Sequence, residues 1–454
     1  MTSGSGVLAG VDVGTTNCKV GVFAPDGSAV AVRCRPTSSD AFALVAGVLE
    51  DLRRCLDGRR PLAVGITGVA EGGVALDADL RPMGPLFWWH DRRPAGAARR
   101  LAQQCGRAEL FHRTGVDISA KTPLALWCWL GDLNRIRVWV GVAELVTTAL
   151  CGKPLTDRTL PGRTGAFDQR AGRYDEDLLA LAGIRPEQLP EPRGVGAARC
   201  VLRTGTPVVV AGHDHLVAAY AAGAREPGQV ADSLGTAEAV VTITRTPPTD
   251  DAAGTGISWN RTADGEHWAL VSGYPGAGRL VEWLRARCGG DFGALDALAE
   301  NVERPTGVVV LPYLDGRAAP APDAGRGMSV RGLTAAHGMP DLVVAVFEGA
   351  ACHGRWMAEV QARHADTVLG AVTAFGGPSR SRAWMSLKAH VLPGPVRRLR
   401  TADAACLGAA ALAGRAVGVG MPVATSEELP RGDALAERYE IMYRDFLSHA
   451  REAA

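Results

Sequence analysis

Two short segments carry the residue types that phosphate chemistry uses. Asp12-Val13-Gly14-Thr15-Thr16 ends the first apolar run of the chain, and Ser233-Leu234-Gly235-Thr236 ends a later one, beyond a second acidic site at Asp214. In each, glycine and small hydroxyl residues make a tight turn. Backbone N–H groups there can approach phosphate oxygens because no bulky side chain intervenes. One such turn per half of the chain, each near a carboxylate, predicts ATP held in a cleft between two related domains. Transfer of a phosphoryl group needs the phosphates held, their charge countered and an acceptor hydroxyl aimed in line.

Asp12, at the end of a buried strand, stands where a carboxylate can hold Mg²⁺ directly or through water, or simply cap the turn. Gly14, Thr15, Thr16, Gly235 and Thr236 supply phosphate donors. Lys19 adds a positive charge if it faces them, and is a surface residue otherwise. Asp214 follows the apolar run Val208-Val209-Val210-Ala211-Gly212 and precedes a helix. That placement suits a general base for the acceptor hydroxyl, and it equally suits a helix N-cap. His213 and His215 flank it. The triplet could hint at a metal, but no third ligand motif accompanies it. Glu71, in Gly68-Val69-Ala70-Glu71-Gly72-Gly73, is a carboxylate in a glycine-rich loop. With Trp88-Trp89-His90-Asp91 it offers a polyhydroxylated substrate both hydroxyl acceptors and aromatic faces. Either tryptophan could instead be core.

The elements that must position these residues follow from pattern. Val7–Val11, Cys18–Phe23 and Ala29–Cys34 predict a three-strand meander with a turn at Pro25-Asp26-Gly27. Apolar spacing at Phe42, Val45, Leu49 and Leu52 predicts a helix over 42–55, and 62–67 a strand. This βββαβ order differs from a dinucleotide-binding βαβ, and the Gly14 turn lacks a P-loop lysine. Helices are predicted over 95–105, 123–131 and 140–150 within an irregular region, 86–200. After a connection at Arg225-Glu226-Pro227-Gly228 the plan repeats. Strands are expected over 230–234 and 237–244, and another over 368–375 ending at Gly376-Gly377. Helices are expected over 279–286, 294–302, 341–362, 380–391 and 403–414.

Length and composition set the frame. At 454 residues and 47% hydrophobic content two domains are expected. Lys+Arg of 49 against Asp+Glu of 48 gives a net charge of +1, which offers no nucleic-acid footprint. The 10 cysteines are scattered singly without a CxxC, which predicts reduced thiols and a cytoplasmic protein. No basic segment precedes a long apolar run at the N-terminus, and no run is long enough to cross a membrane.

Taken in order, these segments resemble the FGGY carbohydrate kinases of the actin/sugar-kinase/Hsp70 ATPase superfamily, with a xylulokinase-like cast. The resemblance rests on Gly10–Thr16, Leu86–Arg92, Gly212-His213-Asp214, and Leu311-Pro312-Tyr313-Leu314-Asp315-Gly316-Arg317 running on to Pro320, Asp323 and Arg326-Gly327. It continues through Gly332-Leu333, His337, Glu348-Gly349, Gly376–Ser381 with Trp384, and 403–411. It implies an α/β fold of two ribonuclease-H-like (actin-like ATPase) domains around a central cleft. Residues 1–226 would form the N-terminal sugar-binding domain with the catalytic Asp214, and 227–454 the C-terminal nucleotide-binding domain. It implies ATP and Mg²⁺, hinge closure, and a sugar, ketose, polyol or cyclitol as acceptor. It places Glu71, Ala70, Trp89, Asp91, His213 and His215 at the substrate and Asp12 at Mg-ATP. Gly376, Gly377, Arg380 and Gly408 fall near the nucleoside. On family grounds a homodimer is compatible. Glu71 matches a position that is His in many xylulokinase-like members and Glu in glycerol-kinase-like ones. Ala70 stands where the glycerol-kinase-like loop carries Arg, Ala318-Ala319 and Ala321 replace more polar residues, and Pro378 replaces a common Gly. The alternatives are a regulatory binding protein of the same fold, which would not need Asp12 and Asp214, and a chaperone-like ATPase, for which the chain lacks a peptide-binding domain.

Overall fold

The computed structural model describes residues 6–401 and 403–452, which divide into two compact units. The first gathers 1–221, 258–268 and 403–423; the second gathers 222–257, 269–402 and 424–454. The units are therefore not two uninterrupted halves meeting at 226/227. The expected helix over 403–414 forms as Ala404–Ala416, but it packs with the first unit.

In the first unit, β1 (Val7–Val13), β2 (Asn17–Phe23) and β3 (Ala29–Pro36) make the expected antiparallel meander. α1 (Ala41–Leu56) leads to β4 (Pro61–Gly68), which lies parallel to β1. Asp40 caps α1 by accepting from Ala43 N at 2.7 Å. Its buried stripe is Ala41, Leu44, Val48, Leu52 and Cys55; of the predicted Phe42, Val45, Leu49 and Leu52, Leu52 lies in it, Val45 is partly buried against the core, and Phe42 is exposed. The rotation is explained by Asp51, also buried, which accepts from Arg33 and Arg35 of β3 and so fixes which helix face looks down. Strand Pro207–His213 adds parallel to β4, with Arg199–Val201 antiparallel at the edge.

Helix Ala404–Ala416 lies against this sheet so closely that glycines are required at the crossing. A Cβ on Gly10 would overlap the carbonyl oxygen of Cys406, and one on Gly65 that of Ala409. Gly408 in turn meets the carbonyl of Val217 in helix Asp214–Ala221. Alanine and glycine in the helix and glycine in the strands bring backbones together, and that pairing assigns the helix to the first unit.

The irregular region holds helices Ala95–Cys105, Arg107–Thr114 and Pro123–Leu130 around Trp127, Leu124 and Trp139, whereas helix Val142–Cys151 packs into the core of the main sheet. The expectation of reduced thiols throughout is corrected here. Cys151, at the end of its helix, is joined to Cys200 of the edge strand in a disulfide, because the fold sets their Cα atoms 6.1 Å apart.

The second unit repeats the hairpin-then-parallel plan. Val230–Leu234 pairs antiparallel with Glu238–Thr244 and parallel with Val372–Phe375. Val396–Leu399 continues in parallel, and Ser426–Glu428 closes that edge. Helices Met339–His364 and Arg382–Val391 cover the sheet, and Asp433–Arg451 forms a C-terminal helix absent from the sequence reading. No helix among the described residues is long and apolar enough to cross a membrane.

Candidate active site

The C-terminal ends of β1, β4 and strand Pro207–His213 bring the first unit's candidate carboxylates to one edge of the sheet. Asp12 sits near the end of β1. Its Oδ1 is buried and has no hydrogen-bond partner. Burial, and then the charge of Asp214, push its carboxyl up to about 7 against the opposing Lys19. Lys19 lies opposite Asp12 in the β1–β2 ladder, but its Nζ is 2.9 Å from Asp403 Oδ1.

The turn after β1 is held from outside. Gly14 N donates to Asn17 O at 3.2 Å, and Thr37 Oγ1 donates to Gly14 O at 2.7 Å. Thr15 is half-buried and Thr16 exposed, so the turn presents its hydroxyls. Trp89 Nε1 donates to Thr15 Oγ1 at 2.8 Å, which makes this tryptophan a brace of the turn. Asp91 is bound to Arg93, whose guanidinium holds its carboxyl below the usual range, and is thus already engaged.

Asp214 is aimed by a bulge. The register of Pro207–His213 against β4 shifts between Val210 and Gly212, and such an irregularity re-aims the residues that follow. Gly212 has a φ of 115°, and a Cβ there would stand 2.8 Å from Asp157 Oδ2. Thr67 Oγ1 donates to Gly212 O at 2.5 Å, and His213 N donates to Thr159 Oγ1 at 2.8 Å. Asp214 then opens helix Asp214–Ala221, its Oδ1 accepting from His215 N at 2.8 Å, with its side chain 20% exposed. His213 is buried, and burial lowers its pKa to about 4 in spite of Asp214 beside it, so the ring is neutral near pH 7. Its Nε2 stands 3.3 Å from Asp214 Oδ1. His215 lies edge-on to His213 at 5.3 Å between centroids. The ligand atoms of His213, Asp214 and His215 lie within 4.8 Å of one another.

Glu71 is 9% exposed and has a partner that sequence reasoning missed. Arg163 Nε and Nη2 donate to Glu71 Oε1 at 3.0 and 2.6 Å. Burial alone would raise the Glu71 carboxyl, but Arg163, Lys121 and His213 outweigh it and hold it at about 2. Both prongs of Arg163 take the same oxygen, Oε1, and leave Oε2 outside the pair. Around the pair, Asn260 Nδ2 donates to Thr159 O and Gln169 Nε2 to Gly162 O, both at 2.8 Å. Arg163 Nη1, Gln169 Oε1 and His213 Nδ1 are buried without partners. The available signal for Arg163 was a lone arginine inside the small and apolar stretch Leu160-Pro161-Gly162…Thr164-Gly165-Ala166. Ala70 does not join this group. It is buried and lines a small internal cavity with Trp127, Trp139, Glu144 and Tyr174.

The second unit's turns are also built from glycines. Gly235 and Thr236 are exposed, with Gly235 N donating to Ala237 O at 2.9 Å. Gly376, at φ 102°, packs directly on Leu234, so the Gly376-Gly377 turn lies beside the Gly235 turn. Pro378 starts a short 3₁₀ turn, Gly377–Arg380, that ends with exposed Arg380. Gly408 is not among these residues. It is buried in the first unit, where its missing side chain serves helix packing.

Models of the FGGY family of carbohydrate kinases match the chain at residues 7–221 (N-terminal domain) and 230–417 (C-terminal domain). The chain belongs to the FGGY carbohydrate kinases. A gluconokinase of Bacillus subtilis (strain 168) is 24% identical, over 89% of this chain and 86% of its own length. A glycerol kinase of Aromatoleum aromaticum (strain DSM 19018 / LMG 30748 / EbN1) is 31% identical, over 79% of this chain and 76% of its own. A ligand-bound xylulose kinase from Lactobacillus acidophilus superposes with a TM-score of 0.89 at 21% identity, covering 98% of this chain and 97% of that one. The superposition establishes the two-domain FGGY fold with its actin-like ATPase architecture. This FGGY kinase is a phosphotransferase that uses ATP and a small sugar or polyol.

Proposed function

We propose that Asp214 is the general base of this kinase and that Glu71 reads an acceptor hydroxyl beside it. The observation that carries the reading is the bulge at Gly212. It delivers Asp214, half-buried and backed by a neutral His213, to the strand edge that also bears Asp12. Asp214 takes the proton of the acceptor hydroxyl as that oxygen bonds to the γ-phosphorus, and the bond from phosphorus to the bridging oxygen of ADP breaks. Glu71, ionised and oriented by Arg163, accepts from a second hydroxyl through Oε2, and Arg163 Nη1, Asn260 and Gln169 lie around that seat. The acceptor class is a sugar, ketose, polyol or cyclitol.

Asp12 fits a Mg²⁺ ion, since its buried Oδ1 lacks any other partner. A metal there would neutralise phosphate charge. The Gly14–Thr16 turn, with Thr16 exposed, offers phosphate donors in the first unit. In the second, Gly235 and Thr236 take nucleotide phosphates, and Gly376, Gly377 and Arg380 the nucleoside side. A net charge of +1 and the absence of a membrane-spanning helix among the described residues fit a cytoplasmic enzyme of small molecules, without nucleic-acid or membrane partners. A homodimer is compatible with this reading.

The test is a coupled ADP-release screen over aldonates, ketoses, polyols, aminosugars and inositols, with mass identification of the product. Phosphorylation of one class by the parent, lost in Asp214→Asn, is expected. Equal rates in variant and parent would remove Asp214 from the reaction.

A further inference from the structure

Beneath the Gly235 turn lies a buried charge cluster that the reaction above does not use. Lys388 is 1% exposed, and its Nζ donates to Asp232 Oδ2 at 2.5 Å and to Glu238 Oε1 at 2.7 Å. Asp232 and Glu238 are 2% and 0% exposed and stand on the two strands that enter and leave the turn. Leu234 pairs with Glu238 in the ladder, so the two carboxylates share one face of the hairpin and the lysine bridges them. A buried ammonium costs several kcal/mol to desolvate unless it is paired, and a hydrophobic side chain would fill this core more simply.

The same turn is braced on two other sides. Gly278 N, in the first turn of helix Ala277–Cys288, donates to Gly235 O at 2.9 Å. On the other side Gly376 sits against Leu234, where any Cβ would overlap the Leu234 carbonyl. Lys388 itself belongs to helix Arg382–Val391, which directly follows the Gly377–Arg380 turn. Gly354 makes room for the cluster, since a Cβ there would stand 3.2 Å from Lys388 Nζ. Asp232 Oδ1, Glu238 Oε2 and Tyr274 Oη remain buried without partners. Burial, with Asp232 adding to it, raises the Glu238 carboxyl, whereas the two acids hold the Lys388 ammonium above its usual range.

We propose that Lys388 is a positioning residue for nucleotide phosphate: by joining Asp232 to Glu238 it fixes the Gly235-Thr236 turn relative to the Gly376–Arg380 turn, so that both are set before ATP arrives. This rests on the reading that those turns seat the nucleotide. Displacement of a binding group on the order of 1 Å can cost about 10²-fold, so losing the bridge acts on nucleotide affinity and leaves the acceptor seat of the first unit alone.

The experiment measures ADP binding by calorimetry, and ATP and acceptor KM, for the full chain and for Lys388→Met. The expected result is an ADP Kd raised by about tenfold or more with an acceptor KM within about twofold of the parent. Loss of stability alone is separated by the charge-free variant Asp232→Asn/Glu238→Gln/Lys388→Met, which removes the unpaired buried charges. Recovered unfolding midpoint with ADP binding still weak supports positioning. Recovered ADP binding would mean Lys388 only stabilises the fold and overturns the proposal. Should Lys388→Met not fold, the charge-free variant carries the test alone. Parent-like ADP binding in the variants overturns the inference, whereas a parent that binds no ADP overturns the nucleotide reading itself.

Discussion

Lys19 faces Asp12 across the β1–β2 ladder, yet its ammonium is ion-paired with Asp403, 2.9 Å away. The charge that the sequence offered to phosphates is thus held at the start of helix Ala404–Ala416, and Asp12 keeps an unpartnered oxygen. The two side chains are 28% and 26% exposed, and such partly solvated pairs are worth about 1 kcal/mol or less. Lys19→Met is therefore expected to change stability by less than about 1 kcal/mol and ADP affinity by less than about fivefold. Urea unfolding and calorimetry check both. A far larger loss of ADP affinity would show that Lys19 leaves Asp403 for the nucleotide.

Asp214→Asn preserves the acceptor oxygen that His215 N uses, so the start of helix Asp214–Ala221 should survive the change. What disappears is the capacity to take a proton. Turnover should fall by at least about 10²-fold with ADP affinity and unfolding midpoint unchanged. Parallel loss of ADP binding would point instead to a structural fault at the bulge.

Arg163→Met strands Glu71 as an unpaired buried carboxylate. Breaking one partner of such a pair costs about 3–5 kcal/mol, and the carboxyl, no longer held near 2, should also lose its fixed orientation. Acceptor KM is expected to rise while ADP Kd stays put, as read from initial rates and calorimetry on the folded variant. An unchanged acceptor KM would remove the Glu71–Arg163 pair from substrate recognition.

Gly65→Ala places a methyl group into the carbonyl of Ala409. A backbone carbonyl in mid-helix cannot swing aside, so overpacking of about 1–3 kcal/mol or more should appear in urea unfolding. Gly84→Ala, where nothing lies within 4 Å of the added carbon, should stay within about 0.5 kcal/mol of the parent.

Much of this was legible in the chain. Alternation and turn residues place the meander and β4, and the glycine-hydroxyl turns mark both sets of phosphate candidates. What local pattern cannot show is partnership across sequence. Arg163 is 92 residues from Glu71, in an irregular stretch with no period to read. Lys388 sits in an amphipathic helix, where a lysine ordinarily signals solvent, and only the hairpin's two acids make it interior. Helix Ala404–Ala416 was recognisable by composition, but its unit was not, because the glycines that receive it, Gly10 and Gly65, lie near the other end of the chain. Asp91 reads from the sequence as a substrate-binding group, but Arg93, two residues on, folds back onto its carboxylate.

His353 provides a pH test confined to the second unit. It is fully buried in helix Met339–His364, its Nδ1 3.2 Å from Tyr313 Oη, and its Nε2 has no partner. Burial first, then the nearby charge of Arg317, lower its pKa from 6.5 to about 3, with Lys388 adding to the effect and the Ala319 backbone carbonyl opposing it. Below 6.5 the unfolded chain binds the proton more readily than the folded one. The neutral ring's contribution is therefore complete above 6.5 and is lost as pH falls toward about 3. His353→Gln cannot titrate there. It should be less stable than the parent at neutral pH through lost packing, and the gap should narrow on acidification by at most about 1.4 kcal/mol per pH unit. Urea midpoints for both proteins at several pH values between neutrality and mild acid decide it. A gap that holds constant across that range would mean the imidazole takes up its proton as easily folded as unfolded, and the burial argument would fail.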